Sequence, residues 1–136
     1  MKGASDLDLE RVMEAAREAS KNAYAPYSNF HVGAAILTEG GAVYAGCNVE
    51  NASYGLSICA ERNAATTMAL ADPEDREIRL VAVSSPDASP CFPCGACRQV
   101  LLEFGCKEVV VENEAGLRRY PFDAILPHSF GPGDLG

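Results

Sequence analysis

The sequence is poor in positive charge. Eleven Lys and Arg stand against 19 Asp and Glu, a formal net charge of −8 over 136 residues. That deficit argues against a surface built to grip a phosphate backbone, because non-specific nucleic-acid binding rests on Lys and Arg. It leaves small uncharged ligands open. Long apolar runs are also missing: none approaches the length of a membrane span, and no apolar run follows the start, so no secretory leader is expected. Histidine is scarce. His31 and His128 stand alone, and both read as ordinary residues. There is no repeat, low-complexity tract or linker.

What the chain does have is an apolar fraction of 48% and six cysteines. The length suits one domain and is too short for two comfortable ones, so residues 1–136 are expected to form a single domain with loose ends at 1–7 and 131–136. A cytoplasmic location is expected, and in a reducing compartment cysteine serves metals, catalysis or core filling more than disulfides.

Apolar residues at three- and four-residue spacing (Leu9, Val12, Met13, Ala16, Ala19) predict a helix from Asp8 to about Asn22, capped by Asp6 or Asp8. Pro26 breaks the pattern. Residues 31–38 and 42–45 read as strands joined at Glu39-Gly40-Gly41. The small residues Gly33, Ala34 and Ala35 imply close packing against a helix. Residues 46–55 form a polar loop whose Asn48, Glu50 and Asn51 offer donors and acceptors. An Ala-rich, largely buried helix is expected from Ser57 to Ala71, with Ser57 as its cap. Leu80–Ser84 is the best central strand, followed by a helix from about Cys94 to Phe104 closed by Gly105. Glu108–Glu112 is another buried strand, Leu117–Tyr120 an edge strand, and Pro121–Leu126 one helical turn or two. Strand–helix–strand in the middle demands a right-handed crossover and a parallel pair. The expected fold is α/β: a three-layer αβα sandwich around a mixed sheet of about five strands.

Two stretches carry chemistry: Cys59-Ala60-Glu61-Arg62 and Pro93-Cys94-Gly95-Ala96-Cys97-Arg98. Three thiolates can hold one zinc ion and leave its fourth position open, and a nearby carboxylate that is not a ligand can move protons. Both clusters fall at predicted helix starts, where unpaired N–H groups and the dipole favour the thiolate. A Cys-x-x-Cys pair alone also suits redox sites and structural zinc knuckles. Cys91, evenly spaced with Cys94 and Cys97, would make a closed four-ligand site. The open site is preferred because Glu61 beside Cys59 has no purpose in a closed one. Cys47 and Cys106 read as core residues. Three thiolates leave the centre formally negative, so Arg62, with Arg98 as a second candidate, would offset that charge by donating to sulfur.

The segments 26–35 (PYSNFHVGAA), 46–54 (GCNVENASY), 59–62 (CAER), 93–99 (PCGACRQ) and 126–130 (LPHSF) occur in an order that resembles cytidine deaminase in its short, all-cysteine form. The likeness runs over essentially the whole chain. It implies a cytidine deaminase-like fold, a homotetramer with shared active sites and one Zn2+ per subunit. It implies a hydrolase of pyrimidine salvage that converts cytidine and deoxycytidine to their uracil counterparts plus ammonia. By that resemblance Cys59, Cys94 and Cys97 bind zinc, and Glu61 shuttles a proton from the attacking water to ring N3 and then to the departing amine. Asn48 and Glu50 hold the ribose, Tyr54 and Phe30 line the pocket, the Ala60 backbone orients the pyrimidine, and Phe130 reaches the base from a neighbouring subunit. The expected partner is a free nucleoside, with no nucleic acid and no membrane. Gly55, Asn63 and Cys91 depart from the family pattern. The alternatives are a same-fold deaminase of another cytosine nucleoside, such as blasticidin S, and a non-enzymatic zinc-stabilised binding module.

Overall fold

The computed structural model of the chain describes residues 5–135. Its first helix, α1 (Asp6–Ser20), buries Leu9, Val12, Met13 and Ala16, the face that the spacing predicts. The cap differs from expectation. Ser5 is the N-cap; its Oγ accepts from the Asp8 N–H at 3.1 Å, while Asp8 Oδ2 accepts from the Ser5 N–H at 3.3 Å. Asp8 is thus the far member of a reciprocal capping box rather than the cap itself. Of the expected loose start, residues 1–4 lie outside the described residues and the remainder is in the capped helix.

The hairpin β1 (Gly33–Thr38) and β2 (Val43–Cys47) follows, then α2 (Ala60–Ala71), β3 (Ile78–Ser84), α3 (Gly95–Glu103), β4 (Glu108–Asn113), β5 (Gly116–Pro121) and a single helical turn, α4 (Phe122–Ile125). The sheet order is β2-β1-β3-β4-β5. Within this sheet β3 and β4 pair in parallel, as the crossover through α3 requires; the other neighbouring strands are antiparallel. β3 is the central strand and β5 an edge.

Alternation along the strands feeds two separate cores. Ala35, Leu37, Leu80, Ala82 and Val110 face α1, whereas Ala34, Ile36, Val81, Val83, Val109 and Val111 face α2, α3 and α4. This is the three-layer αβα arrangement. Two glycines allow the layers to close. A Cβ at Gly33 would lie 1.9 Å from the Ala16 carbonyl oxygen of α1, and one at Gly46 would lie 2.5 Å from the Ala64 nitrogen of α2.

Helix α2 departs from expectation twice. It starts at Ala60 with Cys59 as N-cap, not at Ser57. The reason is local: Val49 and Ile58 exchange backbone hydrogen bonds at 3.0 and 2.9 Å, which keeps that segment extended. The Ser57 hydroxyl accepts from the Asn51 N–H instead. The helix is also buried on one face only. Thr66 and Thr67 are exposed, their hydroxyls donating back to helix carbonyls, and Leu70 is 85% exposed. At the other end of the chain, residues 132–135 form a short 3-10 turn where a loose end is expected. No helix among the described residues is long and apolar enough to cross a membrane.

Candidate active site

Helices α2 and α3 begin side by side, each with a cysteine in the N-cap position and no side-chain cap hydrogen bond: Cys59 for α2 and Cys94 for α3. One helical turn on, Cys97 completes the group. The Sγ atoms of Cys59, Cys94 and Cys97 all lie within 4.8 Å of one another. Cys59 and Cys94 are 3.8 Å apart, and Cys94 and Cys97 3.3 Å. An ion held tetrahedrally by sulfur at about 2.3 Å spaces its sulfurs about 3.8 Å apart, so the donor set and its spacing fit zinc. Cys91 does not belong to this cluster. The spacing argument that could have made it a fourth ligand fails because residues 85–94 form no helix and Cys91 lies before the start of α3.

Electrostatics favour a thiolate here. The neighbouring Cys97 thiol, outweighing burial and joined by the Arg62 guanidinium, holds Cys59 down at about 5. Cys97, beside the Cys59 thiolate and itself buried, is pushed up. Arg62 Nη2 lies 3.9 Å from Cys59 Sγ and donates to the Ser57 carbonyl at 3.2 Å. Its buried Nε has no hydrogen-bond partner among the described residues. Arg98, the second candidate for the sulfurs, is not placed there. It donates to the carbonyls of Pro93 and Ile125 at 2.8 and 2.6 Å, tying the start of α3 to α4.

Glu61, the second residue of α2, is 4% exposed. Burial raises its carboxyl to about 7, and the negative charge of Cys59 pushes the same way. A carboxyl near neutrality can both take and give a proton at physiological pH. It faces a cavity of about 320 Å³ lined by Ser28, Phe30, Val32, Asn48, Glu50, Cys59, Ala60, Glu61, Cys91, Phe92 and Cys94. Burial and the Glu61 charge push the Cys91 thiol up to about 11, which keeps it neutral in that wall.

The structure therefore gathers Phe30, Asn48, Glu50 and Ala60 around the thiol cluster and Glu61. Tyr54 stands apart: it lines an adjoining pocket of about 270 Å³ with Tyr27, Ser28, Glu50 and Ser57, and packs edge-on against Tyr27. Phe130 is not in either wall. It is exposed, its carbonyl accepting from Gln99 Nε2 at 2.7 Å. Asn48 spans the gap between loop and wall: its Oδ1 accepts from the Val32 N–H at 2.9 Å and its Nδ2 donates to the Phe30 carbonyl at 2.8 Å. Glu50 accepts from the Tyr27 and Ser28 N–H groups at 3.0 and 3.1 Å and from the Ser28 hydroxyl. The bond from the Ser28 hydroxyl holds its carboxyl below the usual range. Sequence reasoning missed Ser28, Val32 and Phe92. Ser28 lies in the 26–35 segment that carries the family resemblance, but neither the resemblance as drawn nor any spacing rule links it to Glu50.

Comparison with known proteins agrees with this geometry. The family model for the cytidine and deoxycytidylate deaminase zinc-binding region matches residues 7–113. Cytidine deaminase of Mycobacterium tuberculosis is 42% identical over 130 residues, covering 96% of this chain and 95% of that protein. The crystal structure of cytidine deaminase from Burkholderia pseudomallei superposes with a TM-score of 0.79 at 48% identity, covering 89% of this chain and 98% of the other. That from M. tuberculosis superposes with a TM-score of 0.80 at 39% identity, covering 93% and 99%. With a buried glutamate beside three gathered thiols, and with matches that run nearly end to end, the chain belongs to the cytidine and deoxycytidylate deaminase family.

Proposed function

We propose that this protein hydrolyses cytidine and deoxycytidine to uridine and deoxyuridine, releasing ammonia, as a single catalytic domain serving pyrimidine salvage in the cytoplasm. The observation that carries the reading is Glu61: a buried carboxyl raised to about 7, on the floor of a cavity that Cys59 and Cys94 also line. Cys59, Cys94 and Cys97 would hold the zinc, with Arg62 offsetting the charge of three thiolates. When bound, the ion supplies a Lewis acid that makes water a competent nucleophile near neutral pH.

The chain's own residues do the rest. Glu61 takes a proton from the attacking water and passes it to ring N3; it then takes the remaining proton from the new C4 hydroxyl and delivers it to the departing amine as the C4 carbonyl forms. Proton transfer by a positioned group of this kind contributes about 10²- to 10⁴-fold. The Ala60 backbone at the start of α2 orients the pyrimidine. Phe30, with Val32 and Phe92 in the same wall, supplies an apolar face for the ring. Asn48 and Glu50 bind the sugar hydroxyls; each already accepts hydrogen bonds from the 27–32 segment, so both are held before substrate arrives. Among the described residues that cavity is lined by the carboxylates Glu50 and Glu61 and by no Lys or Arg that could receive a phosphate, which favours the uncharged nucleoside. In a homotetramer, the exposed Phe130 would reach the base from a neighbouring subunit, while Tyr54 lines the adjoining pocket of its own subunit beside Glu50.

Ammonia release measured with cytidine, deoxycytidine, cytosine and blasticidin S tests this directly. Turnover of the two nucleosides and not of the free base is expected; no turnover of either nucleoside sinks the reading.

A further inference from the structure

The cavity has two walls that are far apart in sequence. One is the segment carrying Phe30 and Val32; the other is the loop after β3 that carries Cys91 and Phe92. What joins them lies outside the cavity, at His31.

The β1–β3 ladder runs antiparallel to its last pair, Gly33↔Ser84. Continued by that register, Val32 would face Ser85 and His31 would face Pro86. Proline has no N–H to give, so the ladder must end there. Yet the His31 backbone is fully paired. The Ser85 hydroxyl donates to the His31 carbonyl at 2.5 Å. Asp87 Oδ2 accepts from the His31 N–H at 2.7 Å and lies 2.9 Å from the ring Nδ1. The Asp87 N–H in turn donates to Ser85 Oγ at 3.0 Å. Two side chains thus replace the strand partner that Pro86 cannot be.

On the opposite edge, Asn48 pairs with the backbone of Phe30 and Val32. The backbone of residues 30–32 is therefore held alternately from both sides, as a strand would be, although both ladders of β1 have their last pair at Gly33 and the only backbone bond carried past it among the described residues is from the Asn48 N–H to the Val32 carbonyl at 3.3 Å. The geometry points to Asp87 and Ser85 as positioning residues: they latch His31 and so fix the separation between the Phe30–Val32 wall and the Cys91–Phe92 wall, which sets how tightly the pyrimidine is gripped. None of the three latch residues lines the cavity, so their effect on substrate passes through Phe30 and Val32. This role rests on reading the cavity as the nucleoside site.

The test uses the zinc-loaded protein carrying Asp87→Ala, with Asp87→Asn as the conservative variant that keeps an acceptor. Steady-state kinetics with cytidine should show KM raised about five- to tenfold in Asp87→Ala, with kcat within about twofold and zinc content unchanged. Asp87→Asn should recover most of the loss. Amide hydrogen exchange at His31 is read in parallel on the same proteins, and should quicken at least about tenfold in Asp87→Ala. That measurement needs no turnover, so it stands even if cytidine is not the substrate. Unchanged KM with unchanged exchange at His31 overturns the latch. So does a loss in which kcat, zinc content and thermal stability fall together and Asp87→Asn restores none of them.

Discussion

At the scale of single residues, Glu61 and Cys91 separate an enzyme from a zinc-stabilised module. Both face the same cavity and both have a carboxyl or thiol raised by burial, but only Glu61 sits beside the thiol cluster with a proton to move. Glu61→Gln preserves the shape and hydrogen-bonding reach of the side chain while removing its proton chemistry. The variant should keep its zinc and lose about 10²- to 10⁴-fold in kcat, measured by metal content and turnover on one preparation. Cys91→Ala should keep both zinc and rate, because its sulfur is outside the cluster. A closed structural site predicts the opposite pair of results. Arg62 belongs at this scale too. Its Nη2 reaches Cys59 Sγ while its Nε is buried without a partner among the described residues, so replacing it leaves a thiolate uncompensated.

At the scale of elements, helix–sheet closeness is what places the site. Gly33→Ala would drive a methyl into the Ala16 carbonyl, and only movement of α1 away from β1 can relieve it. A loss of about 3 kcal/mol is expected, visible as a lower midpoint of urea unfolding. Gly46→Ala acts on α2 instead, against Ala60 and Ala64. Because Cys59 and Glu61 start that helix, it should weaken zinc binding as well as stability, whereas Gly33→Ala should spare zinc at temperatures where the protein stays folded.

A second element-level contact is Glu112 at the end of β4, which accepts from Arg17 of α1 at 2.9 Å and from the Ser84 hydroxyl of β3 at 2.6 Å. Burial pushes its carboxyl up, but those two partners outweigh burial and leave it below the usual value of 4.5. A depressed carboxylate lends stability that is present above its unfolded value and lost as pH falls through its folded one. Glu112→Gln should therefore cost about 1–2 kcal/mol at pH 7. The gap between variant and parent should close as the pH drops from about 4.5, and taking that difference at each pH cancels effects the two proteins share.

At the scale of the whole molecule, most of the architecture was legible because it rests on periodicities. The apolar stripe of α1, the buried run of β3, the crossover through α3 and the edge position of β5 all follow from patterns of two or of three and four. Gly33 declared its close packing by being small in a strand. The site was legible for a different reason: thiols and a carboxylate at these spacings have few other uses. What the sequence hid depends on tertiary pairing. Ser57 reads as a cap until the Val49–Ile58 bridge shows why the chain is still extended there. Ser28 has no role of its own in the sequence until the fold lays it against Glu50. Arg98 and Arg62 read alike beside their cysteines, and only the position of the Ile125 carbonyl tells them apart.

The exposed side of α2 with Leu70, together with exposed Tyr54, Leu56 and Phe130, is apolar surface open to the contacts of the proposed homotetramer. Light scattering should report a tetramer, and a variant with Leu70→Glu, outside the cavity, should shift that mass downward if α2 lies at the subunit contact.

Cysteine at the starts of α2 and α3 has one more consequence. Those places usually hold Ser, Thr, Asp or Asn, whose oxygen ties down the first free N–H groups; here neither cysteine makes such a bond. A zinc ion bridging the two helix starts would do mechanically what two caps do separately, fastening both first turns to each other. Metal supply then becomes part of the folding equilibrium. Stripped by a chelator, the protein should fray first at residues 59–62 and 94–98, while α1, closed by its own Ser5–Asp8 box, should hold its shape unaided.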